Sequence, residues 1–409
     1  MSIRSAASQL RLSSARRRID AFIEQIDTLR ESSFPHDDGK RVLLAIRGKF
    51  VVIKQMLDLP PTASDAMADR VSFHISEVIS EYTEILGLIL RSTNVRNAFE
   101  LHYVLKQMVE KVLGRPTDLL ISSEWNFVPF TYPIGIELLP DVVLIGSPAP
   151  ESENPLIVPL AGHELGHSAW RVTDAADGLA DRLNAAVDVA LEKHKRQLET
   201  SLADDDLVSR SSEAVLRDRC AAHALSQLEE IYCDIVGLYL FGPSYLYAFD
   251  YLLAPGGSDR SLDYPSDGKR MEILAATADK LGLPVDPAVR SQWAPTSVVI
   301  DQRRLTHVVD DVVAALLDTL IEHVEAFMAE RGIIPPGEVA IQAVLGAFNQ
   351  RQPHSSQATL GEIISAGWKF LRAQDGLADQ RDTYKVLCDL IWKTVEVTEY
   401  LEKGLSADA

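Results

Sequence analysis

The apolar positions of the first hundred residues recur at helical spacing. Leu12, Ile19, Phe22, Ile23 and Ile26 form one stripe, the signature of an amphipathic helix. Pro35 and the acidic pair before Gly39 mark the turn that ends it. Val42 to Leu59 reads as a second helix closed by Pro60-Pro61. Ala66 to Leu90 and Val95 to Leu113 give two more, the last stopped by Gly114 and Pro116. The texture changes at Asp118. Leu119-Leu120-Ile121, Trp125 to Tyr132 and Val142 to Ile145 are short apolar or β-rich runs split by Pro and Gly, and they predict strands. Asn154-Pro155 has the form of a helix start, a cap followed by Pro at the first position. Helical patterning then runs to about Arg171 and returns over Ala175 to Glu199, Glu213 to Leu240 and Lys269 to Leu281. A polar connection at Ala203 to Arg210 and a Gly-rich loop from Ala254 to Pro265 interrupt these helices, and a Pro-rich stretch at 284–298 closes them off from the last hundred residues. Val308, Val312, Leu316, Leu320 and Val324 share one face of a helix over Arg303 to Arg331. Val339 to Gln350, Leu360 to Ala373 and Asp382 to Leu401 complete the C-terminal part. The pattern predicts an α+β fold, mostly helical, in three regions. These are an N-terminal helical region at 1–117, a core with a small β-sheet at 118–283, and a C-terminal helical region at 284–409.

One stretch carries chemistry. Pro159 to Trp170 reads PLAGHELGHSAW and contains His163-Glu164-Leu165-Gly166-His167, the pattern H-E-x-x-H. Positions four apart share a helix face, so both imidazoles can reach one metal ion. Glu164 lies about 100° round the helix from His163, beside the open coordination position. A zinc ion bound there would lower the pKa of its water to about 7, and Glu164 could accept the proton. That is metal-assisted hydrolysis, most often of a peptide bond. A catalytic zinc needs a third protein ligand. Glu230 and Asp234, in the run Glu230-Ile231-Tyr232-Cys233-Asp234, share a face of a later helix. One carboxylate can bind the metal, and the other can accept the spare N–H of a ligand histidine. Glu229 is a rival ligand, but it shares its face with Cys233 rather than with Asp234. His223 falls on a face similar to that of Glu230, two turns earlier.

These residues resemble the gluzincin metallopeptidases, and more narrowly peptidase family M48, in which a HELGH-type helix is followed by a helix carrying E-x-x-A-D. A third element, Tyr264-Pro265-Ser266-Asp267-Gly268-Lys269-Arg270-Met271, resembles the family's His-Pro-x-x-x-x-Arg-[Ile/Val] stretch. The resemblance covers residues 118–275. It implies a zincin-like catalytic core whose sheet would offer an edge strand to an extended substrate. It implies that His163, His167 and Glu230 bind Zn2+, that Glu164 is the general base and that Asp234 partners a ligand histidine. Arg270 would be a structural or oxyanion-side residue. Tyr245, Tyr247 or Tyr264 could donate to the oxyanion. The chain departs from the family at Tyr264, where His is usual, at Cys233, where Ala is usual, and in lacking the hydrophobic spans of typical members.

Composition narrows the partners. At 409 residues the chain can bury a large core. A net charge of −19 argues against nucleic acid or an anionic membrane as the main partner; the expected partner is the peptide or protein substrate that the H-E-x-x-H motif and the resemblance imply. Cys220, Cys233 and Cys388 have no CxxC spacing and read as free thiols of a reducing, cytoplasmic compartment. The Arg- and Ser-rich first twenty residues have no apolar core and read as the basic start of a helix, not as a secretory signal. The longest uncharged run, Ile235 to Phe249, is broken by Gly242-Pro243 and is too short to span a bilayer. The chain is thus expected to be one of two things. One is a zinc metalloendopeptidase. The other is a regulatory or interaction protein, built on the flanking helices, whose zinc site cleaves only a dedicated partner or itself, or does not cleave.

Overall fold

Serine side chains start the long N-terminal helices. Helix α1, Ala6–Leu29, begins where the Ser5 hydroxyl accepts from the Ser8 N–H. Helix α3, Asp65–Arg91, begins where Ser64 accepts from the Met67 N–H. Each bond satisfies one of the N–H groups that a helix start leaves without a partner. Between them α2, Asp37–Gln55, carries Asp37 and Asp38 in its first turn, where the helix dipole favours negative charge. The computed structural model describes residues 5–92, 100–124, 130–131, 141–201, 213–253, 261–287, 289, 293, 305–373 and 381–407. Over these residues the fold is α+β and mostly helical, as the pattern predicts.

The chain divides into two compact units, 1–106 with 116–152, and 107–115 with 153–409. In the first unit the predicted stripe of α1 meets α2 and α3. Ile19 and Ile26 are fully buried with Val42, Ile46, Phe50, Ile75, Tyr82 and Ile89, while Leu12, Phe22 and Ile23 pack at the margin. Phe50 stacks on Phe22 at 4.4 Å between ring centroids and meets Tyr82 edge-on at 5.4 Å. Strand β1, Asp118–Glu124, pairs in parallel with β3, Val142–Pro148. The two-residue β2, Phe130–Thr131, adds antiparallel on the other side of β3. The rest of the strand expected over Trp125 to Tyr132 lies outside the described residues. Leu120 and Leu144 are register partners, and both join the core of α1 to α3. For that reason the sheet groups with the N-terminal helices rather than with the HExxH helix, and the expected boundary at 117/118 is not where the contacts divide.

Helix α4, His102–Leu113, runs from the first unit into the second. The second unit continues with α5, Ala161–Val172, α6, Ala175–Ser201, and α7, Glu213–Phe241. Then come α8, Pro243–Leu253, α9, Asp267–Lys280, and α10, Leu305–Glu330. The last three are α11, Glu338–Asn349, α12, Leu360–Arg372, and α13, Arg381–Ala407. Helix α7 is the axis: α5, α6, α8, α9, α10 and α12 all pack against it. Its Leu228, Ile231, Tyr232, Ile235, Val236 and Leu238 are completely buried, as expected of a helix covered on every side. Gly242, at φ 58°, ends it in the left-handed region that suits glycine, and Pro243 opens α8 at once. The five apolar positions predicted for α10 are all buried. Helix α12 starts with a capping box between Thr359 and Glu362. Its Trp368 indole donates to the Leu156 carbonyl at 2.9 Å, and its Ser365 hydroxyl donates to the Phe241 carbonyl at 3.2 Å. Residues after 305 therefore share one core with the HExxH helix, where the sequence suggested a separate C-terminal region. The expected Ala203 to Arg210 connection, most of the 254–265 loop and most of the 284–298 stretch lie outside the described residues. No helix among the described residues is long and apolar enough to cross a membrane.

One buried acid secures the first unit. Asp38, 3% exposed, accepts from Arg41, from the Lys106 ammonium at 2.6 Å and from the Leu119 N–H of β1 at 2.8 Å. Burial opposes its charge, yet these donors together with His102 hold its carboxyl far below the usual range. Removing it would leave Lys106 and a buried strand N–H without their acceptor. Asp38→Ala is expected to cost about 3–5 kcal/mol in denaturant unfolding. A depressed folded pKa gives stability that is complete above the unfolded value of about 3.9 and is lost as pH falls through the folded value. The acid loss of stability below about pH 4 should accordingly be shallower in Asp38→Ala than in wild type.

Candidate metal centre

The centre is built where two helices run closer than side chains normally permit. Asn154 accepts from the Leu156 N–H at 3.0 Å and Pro155 follows, as the cap pattern predicts. The first turns, Pro155–Leu160, are 3-10 rather than α. Pro159 within them has no N–H and crowds the preceding turn, so the α-helix begins only at Ala161. On α5, Gly162 faces Gly237 of α7, and a Cβ on Gly162 would stand 2.9 Å from the Gly237 Cα. Gly166 faces Cys233, where a Cβ would stand 2.4 Å from the Cys233 Cα. The helices therefore run antiparallel and in backbone contact. This contact also accounts for a small side chain at position 233.

Antiparallel pairing sets each histidine against an acid of α7. His163 Nδ1 lies 2.9 Å from Asp234 Oδ1, and His167 Nδ1 lies 2.9 Å from Glu229 Oε1. With both Nδ1 atoms engaged, the Nε2 atoms face Glu230, at 3.4 Å from Oε2 for His163 and 3.9 Å from Oε1 for His167. Both imidazoles remain 12% exposed, so an ion can reach them. A proton donated from Nδ1 to a carboxylate leaves the Nε2 lone pair free to ligate.

Asp234 is the hub behind His163. It accepts from Arg270 Nε and Nη2, each at 2.7 Å, and from the Tyr245 hydroxyl at 2.6 Å. Burial works against its charge, but Arg270 and His163 hold its carboxyl far below the ordinary value. The Arg270 guanidinium also lies over the Phe249 ring at 5.1 Å. Its Nη2 also lies 3.3 Å from His163 Nδ1, so the guanidinium adjoins both members of the His163–Asp234 pair. Tyr245 is fully buried on the same carboxylate, and Tyr247 is buried against Trp368. Of the three tyrosines considered for an oxyanion, Tyr264 alone is exposed, at 57%. The charge of Glu230 is the largest influence on its hydroxyl and raises its pKa. Glu164 is buried on α5 between the two histidines.

Two donor sets compete for the third coordination position. His163, His167 and the Cys233 thiol have ligand atoms within 4.8 Å of one another. Cys233 is completely buried, and burial with the charges of Glu230, Glu229, Asp234 and Glu164 pushes its thiol well up. A thiol held in its protonated form is a poor ligand. Glu230 is the better donor: both its oxygens address imidazole Nε2 atoms, and although burial opposes its charge, His163 holds its pKa low. Two imidazoles and one carboxylate, with carboxylates on the outer nitrogens, fit a divalent zinc-type ion. Glu229 is then the partner of His167 rather than a ligand, a role its spacing in the sequence did not suggest. Comparison with protein-family models, curated proteins and solved structures finds no match to this chain.

The donor set can be tested by competition against a chromophoric zinc chelator. Glu230→Ala should lose at least about a hundredfold in zinc affinity and Glu229→Ala about ten- to a hundredfold, while Cys233→Ala should keep wild-type affinity. Loss in Cys233→Ala with retention in Glu230→Ala would reverse the assignment. Burial lowers the His163 pKa, but bonds to Asp234 and Glu230 outweigh it and raise the value to about 10. A proton therefore competes for this site throughout the neutral range. Zinc affinity is expected to rise with pH from 6 to 9, with about one proton released per ion bound.

Proposed function

We propose that this chain is a zinc-dependent metalloendopeptidase of the gluzincin type, similar to family M48. The observation that carries the reading is the convergence of both H-E-x-x-H imidazoles on Glu230, with Asp234 and Glu229 behind them. His163, His167 and Glu230 would hold the ion. When bound, zinc would acidify a water molecule and polarise the scissile carbonyl. Glu164 takes the proton from the attacking water and passes it to the leaving amine nitrogen. Asp234 and Glu229 keep the two imidazoles in the ligating tautomer and orientation. Arg270 and Tyr245 in turn hold Asp234. Tyr264, which is exposed and feels the charge of Glu230 most strongly, would donate a hydrogen bond to the oxygen that gains charge as water adds to the carbonyl.

Glu164→Gln should retain the metal within a few-fold and lose about 10²–10⁴ in cleavage rate. The assay is digestion of casein and of a peptide library by zinc-loaded chain, with metal content measured in parallel. Full cleavage by Glu164→Gln would overturn the role of the base. Metal-dependent cleavage of a single bound protein or of the chain itself, with casein and library untouched, would favour the dedicated, regulatory reading.

A further inference from the structure

The segment that carries Tyr264 is fastened at both ends to one stripe of α7. His223, Gln227, Glu230 and Asp234 are spaced by four, three and four residues, so they line one face. His223 Nδ1 is 2.6 Å from Asp263 Oδ1. The Gln227 amide donates to the Leu262 carbonyl at 2.8 Å and to the Ser261 carbonyl at 3.5 Å. Within the segment, the Tyr264 N–H donates to the Ser261 hydroxyl at 2.9 Å. Ser266 then caps α9 by accepting from the Lys269 N–H, and Arg270 returns to Asp234 one turn later. Glu230 lies between the two fastenings. Gln227 is 3% exposed, and a buried amide whose N–H groups end on loop carbonyls fixes that backbone firmly. Tyr264 is more than half exposed, which leaves little of its side chain to be held by packing. Its position is therefore set by the backbone on either side.

We propose that His223 and Gln227 are positioning residues that strap residues 261–264 to α7, so that the Tyr264 hydroxyl stands at the mouth of the metal centre and binds an oxygen of the substrate. The proposal rests on the metallopeptidase reading of the centre. A side chain placed beforehand in this way loses less freedom on binding than one that must be captured from solvent.

The test uses the full chain loaded with Co2+, whose visible absorption reports the coordination sphere, and acetohydroxamate as the probe. Tyr264→Phe should weaken the hydroxamate about tenfold, the loss of one hydrogen bond to a charged group. Gln227→Ala and His223→Ala should each weaken it about three- to tenfold in the wild-type background and cause no further loss when combined with Tyr264→Phe. Asp263→Ala, at an exposed position, repeats the His223 arm without threatening the fold. Cobalt affinity should be unchanged in all of them. A loss from Gln227→Ala that persists in full beside Tyr264→Phe, or no loss at all, would overturn the proposal while leaving the metal centre intact. Failure of the wild-type chain to take up cobalt would remove the metallopeptidase reading and this proposal with it.

Discussion

The second unit depends on the backbone contact between α5 and α7. At Gly166, against the backbone of Cys233, there is no room for a methyl group. An interhelical gap widened by a single carbon would carry His163 away from Asp234 and His167 away from Glu229, since both bonds are 2.9 Å long. Protein interiors do not absorb such changes smoothly. The same closeness removes water from Asp234, which is why that carboxylate needs an arginine, a tyrosine and a histidine at once. Helix α7 can serve as the axis because α6, α8, α10 and α12 cover its remaining sides. The Trp368 and Ser365 hydrogen bonds hold the C-terminal helices to that arrangement.

Much of this was legible in the chain, and the part that was not has a physical reason. Helical period alone places His163 with His167 and Glu230 with Asp234, and those four side chains do meet. The apolar spacing of α1 and α10 marked their buried faces directly. The partnership of Glu229 with His167 depends on the direction and register with which two helices pack across 62 residues of sequence. No local pattern encodes that direction, although Gly162, Gly166 and Gly237 together hint at a close crossing. The commitment of Tyr245 to Asp234 is hidden for the same reason: a tyrosine eleven residues on looks like any other until the turn at Gly242 folds α8 back. The strands were recognisable as strands, but Leu120 and Leu144 reveal which helices they pack against only when the core is seen.

The charges of the centre also explain why its acids are not equivalent. Asp234 and Glu230 lie one turn apart on the same face, yet one is enclosed by Arg270 and Tyr245 and the other is turned toward two imidazole edges. Glu229, on the neighbouring face, is partly exposed and pairs with His167. Identical functional groups thus acquire different electrostatic surroundings from the fold alone.

The bonds from Asp234 to Arg270, Tyr245 and His163 are made entirely by the protein. These four side chains are therefore held to one another by the protein's own hydrogen bonds. On the proposed reading of the centre, an ion would enter among side chains whose supporting bonds the fold already supplies, so that loading would be an event distinct from folding.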